Sequence, residues 1–222
     1  MDHILTNEII CLLKAKGADI IRFTDISSIS ADQRQGFKNA IIFCLPLSRE
    51  FIIVKHNNLE TKGDEFSEKE HEADELADRL AEYICEKGYI AYSQSTENNW
   101  QNNNFNVETK SIRLPLKTIS RLAGIGYIGK NNLLITDKYG CALTLGSVLT
   151  DAPVVTENYP LVSSQCGKCD ICKLVCAQNA IFGDEWTEST GREGVIDVFK
   201  CDCSLNCMIN CPKTLKYAIQ ET

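Results

Sequence analysis

"CGKCDICKLVC", residues Cys166–Cys176, places four cysteines at the spacing C-x2-C-x2-C-x3-C. Cys201, Cys203, Cys207 and Cys211 follow, and Pro212 comes directly after the last of them. Three closely spaced thiolates can wrap three iron corners of a cubane, and the fourth cysteine of such a run is directed to a second cluster. Eight thiolates are the number that two [4Fe–4S] clusters need. We assign Cys166, Cys169, Cys172 and Cys211 to one cluster and Cys176, Cys201, Cys203 and Cys207 to the other. The second set is irregular in its spacing, and Ala177 stands where a proline usually follows the fourth cysteine. The residues leave two other readings open. One is a pair of all-cysteine zinc sites, which normally use separated C-x2–4-C pairs. The other is a disulfide cluster.

The bulk numbers set the frame. A chain of 222 residues, 44% apolar and 24% charged, is long enough for one good core plus a small second module. Apolar runs such as Ala40–Leu47 are too short to span a bilayer. The N-terminal residues show no basic region, cleavage site or twin arginine, so a cytoplasmic location is expected. Twelve cysteines among reduced thiols argue for metal rather than disulfides. The four outside the two groups, Cys11, Cys44, Cys85 and Cys141, read as small core residues. The net charge of −7 disfavours a nucleic-acid partner. The acidic run from Glu60 to Glu82 reads as the solvated face of a helix.

Outward along the chain, residues 3–16 read as a helix stopped by Gly17, and residues 18–23 and 39–47 as short buried strands. A polar loop over 57–63 precedes a helix over 66–88, whose stripe is Ala73, Leu76, Ala77, Leu80 and Ile84. Gly88 is its stop. A strand over 89–94 leads to an Asn-rich loop at 94–110. A short helix runs from Pro115 to Gly124, and the strands "NLLIT" and "CALTLGSVLT" are joined by the turn "DKYG". This alternation predicts an α/β domain over 1–155, a linker over 151–160 and a cysteine-rich domain over 156–222. His3, His56 and His71 read as surface residues, and Trp100 and Trp186 as packing residues.

"RLAGIGYIGKNN", residues 121–132, comes within one residue of the phosphate-cradling pattern G-x-x-x-x-G-K-[ST]; Asn131 replaces the hydroxyl residue. A helix precedes these glycines and a strand follows, the reverse of the phosphate-loop context. A tightly packed glycine turn is the plain alternative.

The stretch "AGIGYIGKNNLLITDKYGCALTLGSVLTDAP" followed by the cysteine module resembles the epoxyqueuosine reductase family and the related corrinoid-dependent reductive dehalogenases. The likeness runs from Arg121 to Pro212. It implies a nitroreductase-like α/β domain that binds a cobamide, followed by a ferredoxin-like double [4Fe–4S] domain. It also implies cobamide contacts at Gly124, Gly126, Gly129, Lys130, Asn131, Gly140, Gly146, Thr150 and Asp151, with Lys130 read equally as the partner of an acid on the surface. The implied activity is a cobamide-dependent reduction fed by the clusters; the alternative is electron delivery to a partner without substrate chemistry. Implied partners are an electron donor such as ferredoxin or flavodoxin and either a small-molecule substrate or a corrinoid protein. The family's proton-donating Asp, three residues before the proline matched by Pro115, is replaced by Ile112, which cannot donate a proton. The resemblance therefore points to the short, double-cluster branch rather than to tRNA epoxyqueuosine reduction. Tyr127 and Tyr139 are the substitute proton donors, each with a packing role as the alternative.

Overall fold

The computed structural model describes residues 2–61 and 63–220; Lys62, in the loop expected over 57–63, lies outside the described residues. The chain begins with α1 (His3–Ala15), β1 (Ile20–Asp25), β2 (Asn39–Pro46), α2 (Arg49–His56), α3 (Glu65–Glu86) and β3 (Ala91–Ser93). It continues with α4 (Thr96–Gln101), β4 (Phe105–Asn106), β5 (Ser111–Ile112), α5 (Leu116–Leu122), β6 (Tyr127–Ile128) and β7 (Leu134–Ile135). The last elements are β8 (Leu143–Thr150), α6 (Ile171–Leu174), α7 (Asn206–Ile209) and α8 (Pro212–Ile219).

Two compact units share the chain. The first takes Met1–Pro46, Phe66–Ile125 and Thr144–Pro160, and the second takes Leu47–Glu65, Gly126–Leu143 and Leu161–Thr222. The expected boundary at 155/156 lies near one crossing point, but the cysteine-bearing unit also draws on two earlier segments.

In the first unit four strands form a sheet in the order β1-β2-β8-β3. β1 pairs antiparallel with β2, from Ile20 opposite Cys44 to Asp25 opposite Asn39, and β3 pairs antiparallel with β8. The run Ala40–Leu45 in β2 is buried at every residue, as befits a strand covered on both faces. α1 starts where the Asp2 carboxylate accepts hydrogen bonds from the amides of Ile4 (2.9 Å) and Leu5 (3.0 Å). Its apolar stripe, Leu5, Ile9 and Leu13, meets the α3 stripe of Ala73, Leu76, Ala77, Leu80 and Ile84 in one core with Phe23, Ile41, Phe43 and Val148. Both helices end before a glycine with left-handed backbone, Gly17 (φ +87°) and Gly88 (φ +89°).

Several expectations change. The Asn-rich stretch is not a bare loop: it holds α4, capped by Ser95, and β4, which pairs with β5. Its asparagines bond to the local backbone and to Tyr92. Asn99 Nδ2 donates to the Gln94 carbonyl (2.8 Å) and Asn104 Nδ2 to the Tyr92 hydroxyl (2.7 Å). The 151–160 segment is a strap rather than a free linker. Its Pro153 carbonyl accepts from Asp2 N (2.6 Å), its Val155 amide donates to Thr6 Oγ1 (3.0 Å), and its Glu157 amide donates to the Phe23 carbonyl (3.2 Å). β7 pairs with β6, not with β8 across the "DKYG" turn. Cys44 and Cys141 are buried as expected, but Cys11 and Cys85 are exposed because they fall off the apolar stripes of their helices. Trp100 is largely exposed, with Phe105 its ring neighbour at 5.5 Å. Among the described residues no helix is long and apolar enough to cross a membrane.

Candidate metal centre

The second unit carries all eight grouped cysteines. Cys166–Cys169 forms a tight turn, with the Cys169 amide donating to the Cys166 carbonyl (2.9 Å). Cys172 lies in α6, and the Cys176 amide donates to the carbonyl of Lys173 (3.3 Å). Between the two cysteine groups, Ile181 and Ile196 form an antiparallel bridge, extended by Phe182 N to Val195 O (3.0 Å) and Asp197 N to Ala180 O (2.8 Å). Ala180, Ile181 and Ile196 are buried there, and Cys172, Cys176, Cys201 and Cys207 pack against them. Cys211 caps α8, with Pro212 at its first helical position.

Electrostatics show which thiols are neighbours. Burial pushes Cys172 up to about 11, and the nearby sulfurs of Cys166, Cys211 and Cys169 push the same way. Burial raises Cys207 to about 12, assisted by Cys172, Cys201 and Cys176. Cys172 thus has Cys166, Cys169 and Cys211 near it and also belongs with Cys176, Cys201 and Cys207. Cys203 is exposed, on left-handed backbone (φ +54°). A thiol must lose its proton to ligate a metal, so metal binding would offset the cost of that loss at Cys172 and Cys207. Among the described residues no three His, Cys, Asp or Glu side chains group as ligands of a metal ion. In a cubane each cysteine takes a different iron, so its sulfurs surround a cluster rather than a point. No disulfide joins the described cysteines.

The glycine turn supports these loops. Lys130, only 7% exposed, donates from Nζ to Asp170 Oδ1 (2.9 Å), directly after Cys169. That hydrogen bond raises the Lys130 pKa and lowers that of Asp170. The Asn131 amide reaches the Cys207 carbonyl (3.4 Å) and Cys141 Sγ (3.5 Å). Cys141 Sγ lies 3.2 Å from Thr214 Oγ1, and the Cys141 amide donates to the same oxygen (3.1 Å). The Cys141 thiol also hydrogen-bonds Cys211, which lowers the Cys211 pKa and raises that of Cys141. Asp170, Cys141 and Thr214 were missed as members of this site. Only the burial-prone Cys141 carried a sequence signal, and it read as core.

The residues expected to contact a cobamide do not form an open cradle. A Cβ on Gly126 would collide with the Ile135 carbonyl, one on Gly129 with Ile135 Cδ1, one on Gly146 with the Phe43 ring, and one on Gly124 with Tyr159. Gly140 (φ +58°) is pressed against Lys213 and Thr214. The glycine amides at 124, 129 and 140 donate to Arg121, Leu133 and Thr136 carbonyls. Thr150 Oγ1 donates to the Ile90 carbonyl (2.8 Å), and the Asp151 carboxylate accepts from the Ile90 amide (2.7 Å). At these five glycines the absent side chain makes room for the chain itself.

Of the two tyrosines, Tyr139 packs edge-on against Tyr217, with ring centroids 5.0 Å apart. Tyr127 is 3% exposed, and burial first, then the sulfurs of Cys166 and Cys211, raise its pKa. Cys166 and Gln165 lie near its hydroxyl, yet no partner reaches good hydrogen-bond geometry. Ile112 is half-buried in β5 and supplies no proton.

No protein-family model matches the chain. Epoxyqueuosine reductase of Aliivibrio fischeri is 34% identical over 85 residues, 38% of this chain and 20% of that protein. The Bacillus anthracis epoxyqueuosine reductase is 32% identical over 99 residues, 43% of this chain and 23% of that protein. The matched segment thus spans about a fifth of these curated relatives. Among solved structures, epoxyqueuosine reductase from Streptococcus thermophilus superposes with a TM-score of 0.57 at 18% identity, covering 96% of this chain and 66% of that one. The catabolic reductive dehalogenase NpRdhA superposes with a TM-score of 0.67 at 17% identity, covering 95% of this chain and 32% of that one. This chain is thus similar in sequence to epoxyqueuosine reductases, and it shares a mixed α/β fold with them and with reductive dehalogenases.

Proposed function

We propose that the chain is an iron–sulfur redox protein that moves single electrons through two [4Fe–4S] clusters. Cys166, Cys169, Cys172 and Cys211 would hold one cluster, and Cys176, Cys201, Cys203 and Cys207 the other. The observation that carries this reading is the crowding of half-buried thiols: Cys172, Cys176, Cys201 and Cys207 pack on one small apolar cluster, and the sulfurs of Cys166, Cys169 and Cys211 also bear on Cys172. When bound, such clusters supply one-electron transfer at potentials set by charge, burial and hydrogen bonds to sulfur. The chain's own part is to hold the thiols in place. Lys130 anchors the first loop through Asp170, Asn131 ties the turn to the Cys207 carbonyl, and α8 presents Cys211. The electron donor and acceptor would be a small ferredoxin- or flavodoxin-class protein and a redox partner.

A cobamide-dependent reduction is the second reading. The shared fold with a reductive dehalogenase described as B12-dependent favours it (TM-score 0.59, 18% identity). The internal contacts of the nine residues expected to touch a cobamide speak against it. Anaerobic reconstitution with iron and sulfide separates the readings. Two clusters predict about eight irons and eight sulfides per chain, with no change in the visible spectrum of added cobalamin. Tight stoichiometric cobalamin binding would favour the second reading, and zinc uptake without iron would overturn both.

A further inference from the structure

The Tyr127 hydroxyl is buried and makes no hydrogen bond of good geometry. An unpaired buried polar group costs on the order of 1–3 kcal/mol, so native chains rarely leave one without a use. The ring has little freedom to turn towards another partner. It sits in the β6–β7 pair opposite Ile135, and the preceding Gly126 is packed so closely on the Ile135 carbonyl that no side chain fits there. The ionisable side chains that bear on the hydroxyl are Cys166 and Cys211, two thiols of one proposed cluster. A phenol carries one O–H donor, and thiolate and sulfide sulfurs are acceptors.

We propose that Tyr127 is a positioning residue whose hydroxyl donates a hydrogen bond to sulfur in the cluster held by Cys166, Cys169, Cys172 and Cys211, raising the reduction potential of that cluster alone. This inference rests on the two-cluster reading. Adding an electron increases the negative charge on the cluster sulfurs, so a donor aimed at them stabilises the reduced form more than the oxidised one. Backbone amides donate to sulfur in both thiol groups, Ala180 N to Cys176 Sγ at 3.3 Å in the other one, and the Tyr127 substitution leaves these bonds in place.

The test compares the full chain with Tyr127→Phe after anaerobic reconstitution, using EPR-monitored redox titration. Both proteins are expected to hold about eight irons. One midpoint potential in the variant should fall by about 59 mV, a tenfold change in the one-electron equilibrium, while the other stays in place. Exchange into D2O should shift Fe–S stretching bands in the resonance Raman spectrum of the parent protein, and the variant should lose part of that shift. Full iron with both potentials and the deuterium shift unchanged overturns the proposal and leaves the two-cluster reading standing. A variant that takes up only half the iron shows a purely structural role and overturns it equally. A parent protein that binds far fewer than eight irons removes the two-cluster reading and this proposal with it.

Discussion

The two units keep their shape by different means. In the first, Ile9, Leu13, Phe43, Leu80 and Ile84 are fully buried in a core fed by two helices and a sheet. In the cysteine-bearing stretch of the second, the buried cluster between the thiol groups is Ala180, Ile181 and Ile196, with cysteines leaning on it. Full burial of a large aliphatic side chain is worth about 1.5–3 kcal/mol, while ordering each backbone residue costs about 1–2 kcal/mol. That cluster alone is too small to order so long a loop-rich stretch, which also draws on buried Met208 and Ile209 and on the Lys130 and Asn131 contacts. On the two-cluster reading, metal binding adds to these, and folding and cluster assembly in that stretch become coupled.

Stripping the metal is the severest way to challenge this contrast. Structural metal sites contribute on the order of 10 kcal/mol. Chelated, reduced protein should therefore lose hydrogen-exchange protection over 166–211, while amides of β2 and α3 stay protected. Uniform loss across both units would break the comparison. Removing one ligand is the next step down. Cys172→Ser should lower iron from about eight to about four per chain, read by iron and sulfide analysis, with the first unit's far-UV signal intact.

In the first unit the matching damage is a cavity. Leu80→Ala should cost about 2–5 kcal/mol in a denaturation midpoint, with no change in iron content. A smaller loss is expected at the glycine turn. Gly140 has left-handed backbone, and a Cβ there would come within 2.6 Å of Thr214 Cα. Gly140→Ala should cost about 1–3 kcal/mol and slow cluster uptake, because Thr214 follows Cys211 so closely. At the weak end, Cys11→Ser and Cys85→Ser should each change stability by less than about 0.5 kcal/mol and leave iron unchanged, since both thiols are exposed.

The parts of the molecule that could be read in advance have their cause close by in the chain. The α3 stripe repeats every three or four residues, and Gly17 and Gly88 mark helix ends. The rest depends on residues distant in sequence. Lys130 finds Asp170 forty positions away, and Asn131 finds Cys207 seventy-six away. No local period encodes either contact: Lys130 read equally as a ligand contact or as the partner of an acid, and the chain alone did not say that the acid is Asp170. The Asn-rich stretch misled for a different reason: side chains that favour loops in general here bond to local backbone and to Tyr92. The glycines at 124, 126, 129, 140 and 146 signalled close approach correctly, but the approaching atoms belong to the chain itself.

The interleaving of the second unit limits what can be cut out of the molecule. The polypeptide from Leu161 onward contains every grouped thiol, yet Tyr127, Lys130, Asn131 and Cys141 arrive from Gly126–Leu143, and α2 arrives from Leu47–Glu65. A tail excised at the apparent linker would keep its sulfurs and lose the scaffold that aims them. The cysteine-bearing unit is therefore not a cassette that can be grafted onto another protein by joining one end; three separate strips of chain would have to travel together.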